Sequence, residues 1–196
     1  MTRTFIALEM DRTLQRHLDE IIRQVAQVLP SVRWVVPESM HLTLAFLGEL
    51  ADSQLAEAIR ATEIATQQVT AFSYSLSRLG IFGSLRQPRV IWMGIEEASG
   101  TLQRLHRILN RELEQRGFKV DTRPFSAHLT LAHIKVPLSL DEQQHLQCML
   151  TRKPQGMVSS TVYSVQYVNV MKSELLRTGA RYTCLREHTL KEKLCN

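Results

Sequence analysis

The pentapeptide His-Leu-Thr-Leu-Ala occurs twice in this chain, at His41–Ala45 and at His128–Ala132. In an extended strand successive side chains point to opposite faces. Each copy therefore sets a histidine and a threonine on one side and two leucines on the other. The leucines need a core, and the histidine and threonine are left to face something else. A fold that satisfies both copies has two strands of this kind, each with one face buried and one face free to line a cleft.

The rest of the chain supplies the layers. Thr4 to Leu8 reads as a buried strand. Asp11 is placed to cap a helix reaching Leu29, with Leu14, Leu18, Ile21, Ile22 and Val25 at helical spacing. Val32 to Val36 is a short β-branched run stopped by Pro37, and the first motif strand continues to Gly48. Asp52 or Ser53 caps a second helix. Phe72, Tyr74 and Leu76 alternate with serines, Gly80 and Gly83 mark a turn, and residues 89–95 form the next strand. A third helix runs from Thr101 to Arg116 and ends on Gly117. After the second motif, Ser139 and Glu142 have the spacing of a capping box for a helix ending near Leu150. A β-rich stretch from Val158 to Val170 follows, and Gly179 turns it back into a last strand over 182–186.

Helix, link, motif strand and helix thus recur in two passes. The expected architecture is α+β: two antiparallel or mixed sheets with outer helices around a central cleft, related by a pseudo-twofold. Residues 1–196 read as a single bilobal domain with one motif per lobe.

With 44% hydrophobic and 22% charged residues, the composition is that of a globular protein. No stretch reaches the roughly 20 apolar residues of a membrane span. The N-terminus lacks a signal-peptide core, which points to the cytoplasm. Three cysteines, Cys148, Cys184 and Cys195, without C-x-x-C spacing, fit reduced thiols. A net charge of +5 favours polyanionic partners.

Histidine exists in either protonation state near neutrality. Opening a phosphodiester with water needs a base for the nucleophile and an acid for the leaving oxygen. His41 and His128 can supply one each, while Thr43 and Thr130 donate hydrogen bonds to the non-bridging oxygens. The scheme requires no metal and no cofactor. A lone His-x-Thr would say little; two copies with the same flanking leucines say much more. Zinc ligation by the two histidines is the competing reading, and the spacings of structural zinc sites are missing. His17, His106 and His145 fall in helices and are expected to face solvent. His133 and His188 occur singly.

The paired motif resembles the two-histidine (2H) phosphoesterase superfamily. Residues 34–49, with 3–8, 88–94, Gly117-Phe118, 123–125 and Tyr182 followed by Leu185, resemble the bacterial and archaeal RNA 2′,3′-cyclic phosphodiesterases, historically called 2′-5′ RNA ligases. The resemblance covers essentially the whole chain. It implies a metal-independent hydrolase that opens 2′,3′-cyclic phosphate ends of RNA to 2′-phosphomonoesters; the RNA itself, whether tRNA fragments, intron ends or another pool, is left open by the sequence. It also implies His41 as proton donor, His128 as proton acceptor, and Thr43 and Thr130 on the phosphate. It implies no membrane and no protein partner. Arg123 is a candidate RNA contact, and Phe46, Phe125 and Tyr182 are candidates to stack on a base; each has a plainer alternative as a surface or core residue. Rival readings are 2′-5′ ligation, hydrolysis of another cyclic phosphate or 2′-5′ diester, and RNA binding without turnover.

Two positions depart from the family pattern. Ala127 stands where proline is usual, and His133 where arginine is frequent. By strand parity His133 falls on the Leu129/Leu131 face, so in a regular strand the loss of the arginine removes no phosphate contact, whereas in a bulged strand it is expected to affect substrate affinity.

Overall fold

The structure is a computed structural model that describes residues 1–151, 161–176 and 179–192. The first sheet has the order β3-β1-β8-β9, from β1 (Thr2–Glu9), β3 (His41–Leu50), β8 (Tyr167–Leu176) and β9 (Gly179–Thr189). The second has the order β2-β6-β5-β4-β7, from β2 (Arg33–Trp34), β4 (Phe72–Ser84), β5 (Gln87–Glu96), β6 (His128–His133) and β7 (Tyr163–Val165). All strand pairings are antiparallel. The motif strands β3 and β6 belong to different sheets and touch one another.

The leucine faces of both sheets share one core. Leu42 and Leu44 of β3 and Leu129 and Leu131 of β6 join Leu14 and Leu18 of α1 (Arg12–Ala26) and Leu105 and Leu109 of α3 (Thr101–Glu114). Helix α2 (Asp52–Thr66) lies on the first sheet and against α3. Helix α4 (Leu140–Thr151) packs beside β4 and sends Leu146 into the core. The two passes of helix, link, motif strand and helix are thus α1, β3, α2 and α3, β6, α4.

Local chemistry explains most boundaries. Asp11 Oδ1 accepts the Leu14 N–H at 2.7 Å, capping α1 as its position suggests. That helix stops at Ala26, short of Leu29, because the chain turns there; the Val28 and Leu29 N–H groups still bond the Val25 carbonyl, and Leu29 is buried. Helix α2 begins one residue earlier than its polar residues suggest. Its N-cap is Ala51, whose N–H is satisfied by Gln54 Oε1 at 3.0 Å. Gly117 ends α3 at φ +80°, with the Phe118 N–H bonded back to the Leu113 carbonyl. The expected run at 32–36 shrinks to two paired residues, Arg33 and Trp34. Gly80 and Gly83 do not make a turn: β4 runs through both. Val158 and Cys195 lie outside the described residues.

Among the described residues no helix is long and apolar enough to cross a membrane. Two histidines expected in solvent are engaged. His17 Nδ1 lies 2.6 Å from the Tyr163 hydroxyl, and His106 stacks on Phe125 at 3.9 Å. His145 remains at the surface near Asp141.

The capping box of α4 forms: Ser139 N–H donates to Glu142 Oε2 at 2.9 Å and Glu142 N–H donates to Ser139 Oγ at 3.2 Å. The buried Glu142 also accepts from the Ser31 hydroxyl at 2.6 Å and the Ser31 N–H at 3.0 Å, tying α4 to the turn after α1. The Ser31 hydroxyl, with the Ser139 and Ser31 backbone donors, holds the Glu142 carboxyl at about 2, down from 4.5. A carboxylate with a depressed folded-state pKa stabilises above its unfolded value and loses that contribution as pH falls. Glu142→Gln is therefore expected to lower Tm at pH 6, with the gap from wild type closing between about pH 4.5 and 2. Thermal unfolding across that range checks it; a gap independent of pH would contradict the assignment.

Candidate active site

Each histidine is held in the same way. His41 Nδ1 lies 3.0 Å from the Ser39 carbonyl, and His128 Nδ1 lies 2.7 Å from the Ser126 carbonyl. A carbonyl only accepts, so Nδ1 carries the proton in both rings and Nε2 is the atom left for chemistry. Before His41 the carbonyl is set by the 3-10 turn Pro37–Ser39. The signal for this support is in the sequence: the repeat extends four residues upstream, as Pro-x-Ser-x-His-Leu-Thr-Leu-Ala at 37–45 and 124–132. The Ala127 carbonyl accepts the Ile95 N–H at 3.2 Å. Proline keeps that acceptor, so alanine at this position costs the strand no hydrogen bond.

Aromatic pairs brace both rings. His41 lies against Phe5, with centroids 4.6 Å apart, and meets the edge of Tyr182 at 4.9 Å. His128 meets Phe82 edge-on at 4.9 Å, with Trp92 at 6.1 Å. Beneath His41, Phe5, Ala7 and Met171 form a small apolar cluster separate from the main core. Burial there lowers the His41 pKa from its usual 6.5, opposed in part by the bond to the Ser39 carbonyl. Burial likewise raises the Tyr182 phenol, against the opposing charge of Arg3. Phe5, Phe82 and Trp92 are not legible as site residues in the sequence, because alternation assigns faces without saying which face meets the other sheet.

Thr43 is exposed and Thr130 half-buried, and neither hydroxyl has a hydrogen-bond partner among the described residues. The two histidines and two threonines lie on the faces turned away from the common core, on strands that touch. Phe46, 55% exposed, lies beyond Thr43 with the Arg3 guanidinium 5.1 Å over its ring. Arg123 and Phe125 lie elsewhere, in a groove of about 690 Å³ along α3 with Arg107 and Asn110. There Arg123 Nε bonds Asp121 Oδ1 at 2.9 Å, and Phe125 stacks on His106. Among the described residues no group of three or more His, Cys, Asp or Glu is gathered to hold a metal ion.

The strand carrying the second motif is not regular. Thr130 pairs with Trp92 and Ala132 with Ile91, leaving Leu131 as an extra residue. Its carbonyl accepts the Val35 N–H at 2.8 Å. Such a bulge aims two successive side chains at one face, and Leu131 and Ala132 are both fully buried. Beyond it the alternation is inverted, so His133 is on the His128 face and not the leucine face that simple parity indicates. The first motif does the same: Thr43 pairs with Ala7 and Ala45 with Ile6, leaving Leu44 extra and Phe46 on the His41 face.

An α+β fold with a His-x-Thr pair on each of two sheets is the arrangement of a two-histidine phosphoesterase. Residues 8–92 and 94–182 match the LigT like Phosphoesterase family, and the chain belongs to it. An RNA 2′,3′-cyclic phosphodiesterase of Methanothermobacter thermautotrophicus is 29% identical over 181 residues, 92% of this chain and 95% of that protein. One from Archaeoglobus fulgidus is 34% identical over 134 residues, 68% of this chain and 73% of that protein. A solved structure from Thermus thermophilus, that of the protein TT0787, is similar with a TM-score of 0.80 at 25% identity, covering 97% of this chain and 99% of that one. Escherichia coli LigT in apo form shares the fold, with a TM-score of 0.69 at 22% identity over 97% of this chain and 98% of that one.

Gly80 pairs with Trp92, and a Cβ there would stand 2.1 Å from the indole. Gly80→Ala must therefore push the ring that braces His128. Overpacking of this kind costs about 1–3 kcal/mol. Denaturant unfolding is expected to show such a loss, with turnover reduced as well. A variant as stable as wild type would mean that the indole is free to move.

Proposed function

We propose that this protein hydrolyses the 2′,3′-cyclic phosphate ends of RNA to 2′-phosphomonoesters by two-histidine acid–base catalysis. The observation that carries the reading is the duplicated Ser-x-His-x-Thr, with both rings pinned at Nδ1 and both Nε2 atoms left for proton transfer. The relatives named above support the substrate. The two pairs bound one cleft, contributed by the two halves of a single bilobal unit. His128 Nε2 takes a proton from water as the oxygen attacks phosphorus. His41 Nε2 gives a proton to the 3′ oxygen as the P–O3′ bond breaks, leaving a 3′ hydroxyl and a 2′ phosphate. Thr43 and Thr130 donate hydrogen bonds to the non-bridging oxygens, where charge builds up. Phe46, backed by Arg3, offers an open ring for a terminal base, and Tyr182 acts through its contact with His41. Arg123 and Phe125, engaged with Asp121 and His106 in the groove along α3, have no part in this scheme. The enzyme acts in the cytoplasm, on ends such as those of cleaved tRNA, without metal, cofactor or protein partner.

With a cyclic-phosphate-terminated oligonucleotide, His41→Ala and His128→Ala are each expected to lose at least about 10² in rate while keeping the fold. Wild-type turnover should persist in EDTA. Near-normal turnover in either variant would remove that histidine from the mechanism. Loss in EDTA would bring a metal into it, and binding without turnover would make the protein an RNA binder.

The protonation of His41 gives a second test. In the free protein its imidazole is expected to titrate below 6.5, because burial disfavours the cation. A phosphomonoester bound beside it should raise that midpoint, since a nearby negative charge favours the imidazolium. NMR titration of the ring proton, with and without a nucleoside 2′-phosphate, measures both. A midpoint that ignores the ligand would place the phosphate away from His41.

A further inference from the structure

The two motifs hold their histidines by the same bond, yet the carbonyls that make it are fixed by different means. Ahead of His41 the backbone supports itself. Ser39 N–H bonds the Val36 carbonyl at 2.9 Å, and Met40 N–H bonds the Pro37 carbonyl at 3.0 Å. The second Pro-x-Ser, Pro124 to Ser126, forms no such turn. It ends a stretch without helix or strand, residues 118–127. Upstream, Asp121 Oδ1 accepts the Arg123 N–H at 3.0 Å. Downstream, the Ala127 carbonyl accepts the Ile95 N–H. Between those ties, among the described residues, the backbone of residues 124–126 makes one hydrogen bond, that from His128 Nδ1 to the Ser126 carbonyl. A side chain does the rest. Phe125 stands where the first copy has the exposed Glu38, and its ring lies on His106 with centroids 3.9 Å apart and planes 13° from parallel. His106 belongs to α3, which Leu105 and Leu109 seat in the main core. One turn along, the Asn110 amide nitrogen lies 3.3 Å from His106 Nε2. An amide nitrogen only donates, so Nε2 accepts and the ring is neutral and held at a fixed angle.

We infer that His106 and Phe125 are positioning residues of the second motif: their stack sets the Ser126 carbonyl, and through it the direction of His128 Nε2. The inference rests on the proposed function, in which that atom takes the proton from water. Neither ring touches substrate; both act through the backbone. With Ala127 tied to β5, the freedom left to the Ser126 carbonyl is rotation about Ser126 itself, and a Phe125 fixed on His106 removes it. Support thus runs from the core through α3 and the stacked rings to the imidazole. An aliphatic side chain of similar volume fills the same space without fixing an angle, because two flat faces register against each other and a branched chain does not. Once the carbonyl turns away, the imidazole proton is free to move to Nε2, and a protonated Nε2 is no base. A displacement of about 1 Å in such a group can cost about 10² in rate.

The test removes the stack in two ways and restores it in two. With a cyclic-phosphate-terminated oligonucleotide, His106→Ala and Phe125→Leu are each expected to lose about tenfold or more in kcat, with KM within about twofold of wild type. His106→Phe and Phe125→Tyr keep two rings and should stay near wild type. The double variant with His106→Ala and Phe125→Leu should lose no more than either alone, since the two rings act as a unit. Glu142→Gln, destabilised away from both histidines, is the control for stability alone and should keep kcat. Nitrogen NMR of the free protein gives a readout without turnover. Wild-type His128 should carry its proton at Nδ1, and both ring-loss variants should shift it towards Nε2 while His41 stays as it is. If wild type hydrolyses no cyclic phosphate, the proposed function fails and the His128 tautomer still decides the support. An unchanged tautomer in both ring-loss variants overturns the inference. So does an unchanged kcat, or a loss of kcat that the ring-keeping variants or the Glu142→Gln control share.

Discussion

Each motif strand must bury two leucines on one side while keeping a histidine and a threonine on the other. The rest of the fold answers to that constraint. A regular strand meets it for four residues and would then return the fifth to the site side. Instead both strands bulge at the second leucine, so that Leu44 with Ala45, and Leu131 with Ala132, point the same way. The extra burial closes a single core beneath both sheets, which keeps the two histidine faces on strands that touch.

The supports around the histidines repeat as closely as the strands do. A carbonyl two residues upstream holds each Nδ1, and two aromatic rings brace each imidazole. The surroundings are still unequal. His41 sits over an apolar cluster that disfavours its cationic form. On the proposed reading the centre of the cleft is symmetric because the phosphate is handled alike from both sides.

Much of this can be read from residue order. The motif strands, four helices, the Asp11 cap and the Ser139–Glu142 capping box follow from alternation, helical spacing and short-range hydrogen bonding, which are local. What cannot be read depends on partners distant in the chain. The bulge at Leu131 exists only against Ile91 and Trp92, so the face of His133 is beyond strand parity. Gly80 looks like a turn because nothing near it shows that an indole takes the place of its side chain. Arg123 and Phe125 adjoin the second motif in sequence, yet adjacency does not determine which side of a sheet the connecting loop follows. The serines before each motif are legible as a longer repeat, although it is their carbonyls and not their hydroxyls that matter.

The fixed Nδ1 bonds have a kinetic consequence. A ring tied by one nitrogen to a carbonyl cannot turn over to offer the other. One pass of the proposed reaction leaves His41 neutral and His128 charged, the reverse of the starting pair. Neither imidazole can restore itself by rotation, so the proton has to return through water at the same Nε2 atoms that did the chemistry. Until it does, the protein is poised for the opposite direction, holding the acid where the base was. The same two bonds that align the rings thereby make every turnover alternate between two protonation isomers of the enzyme.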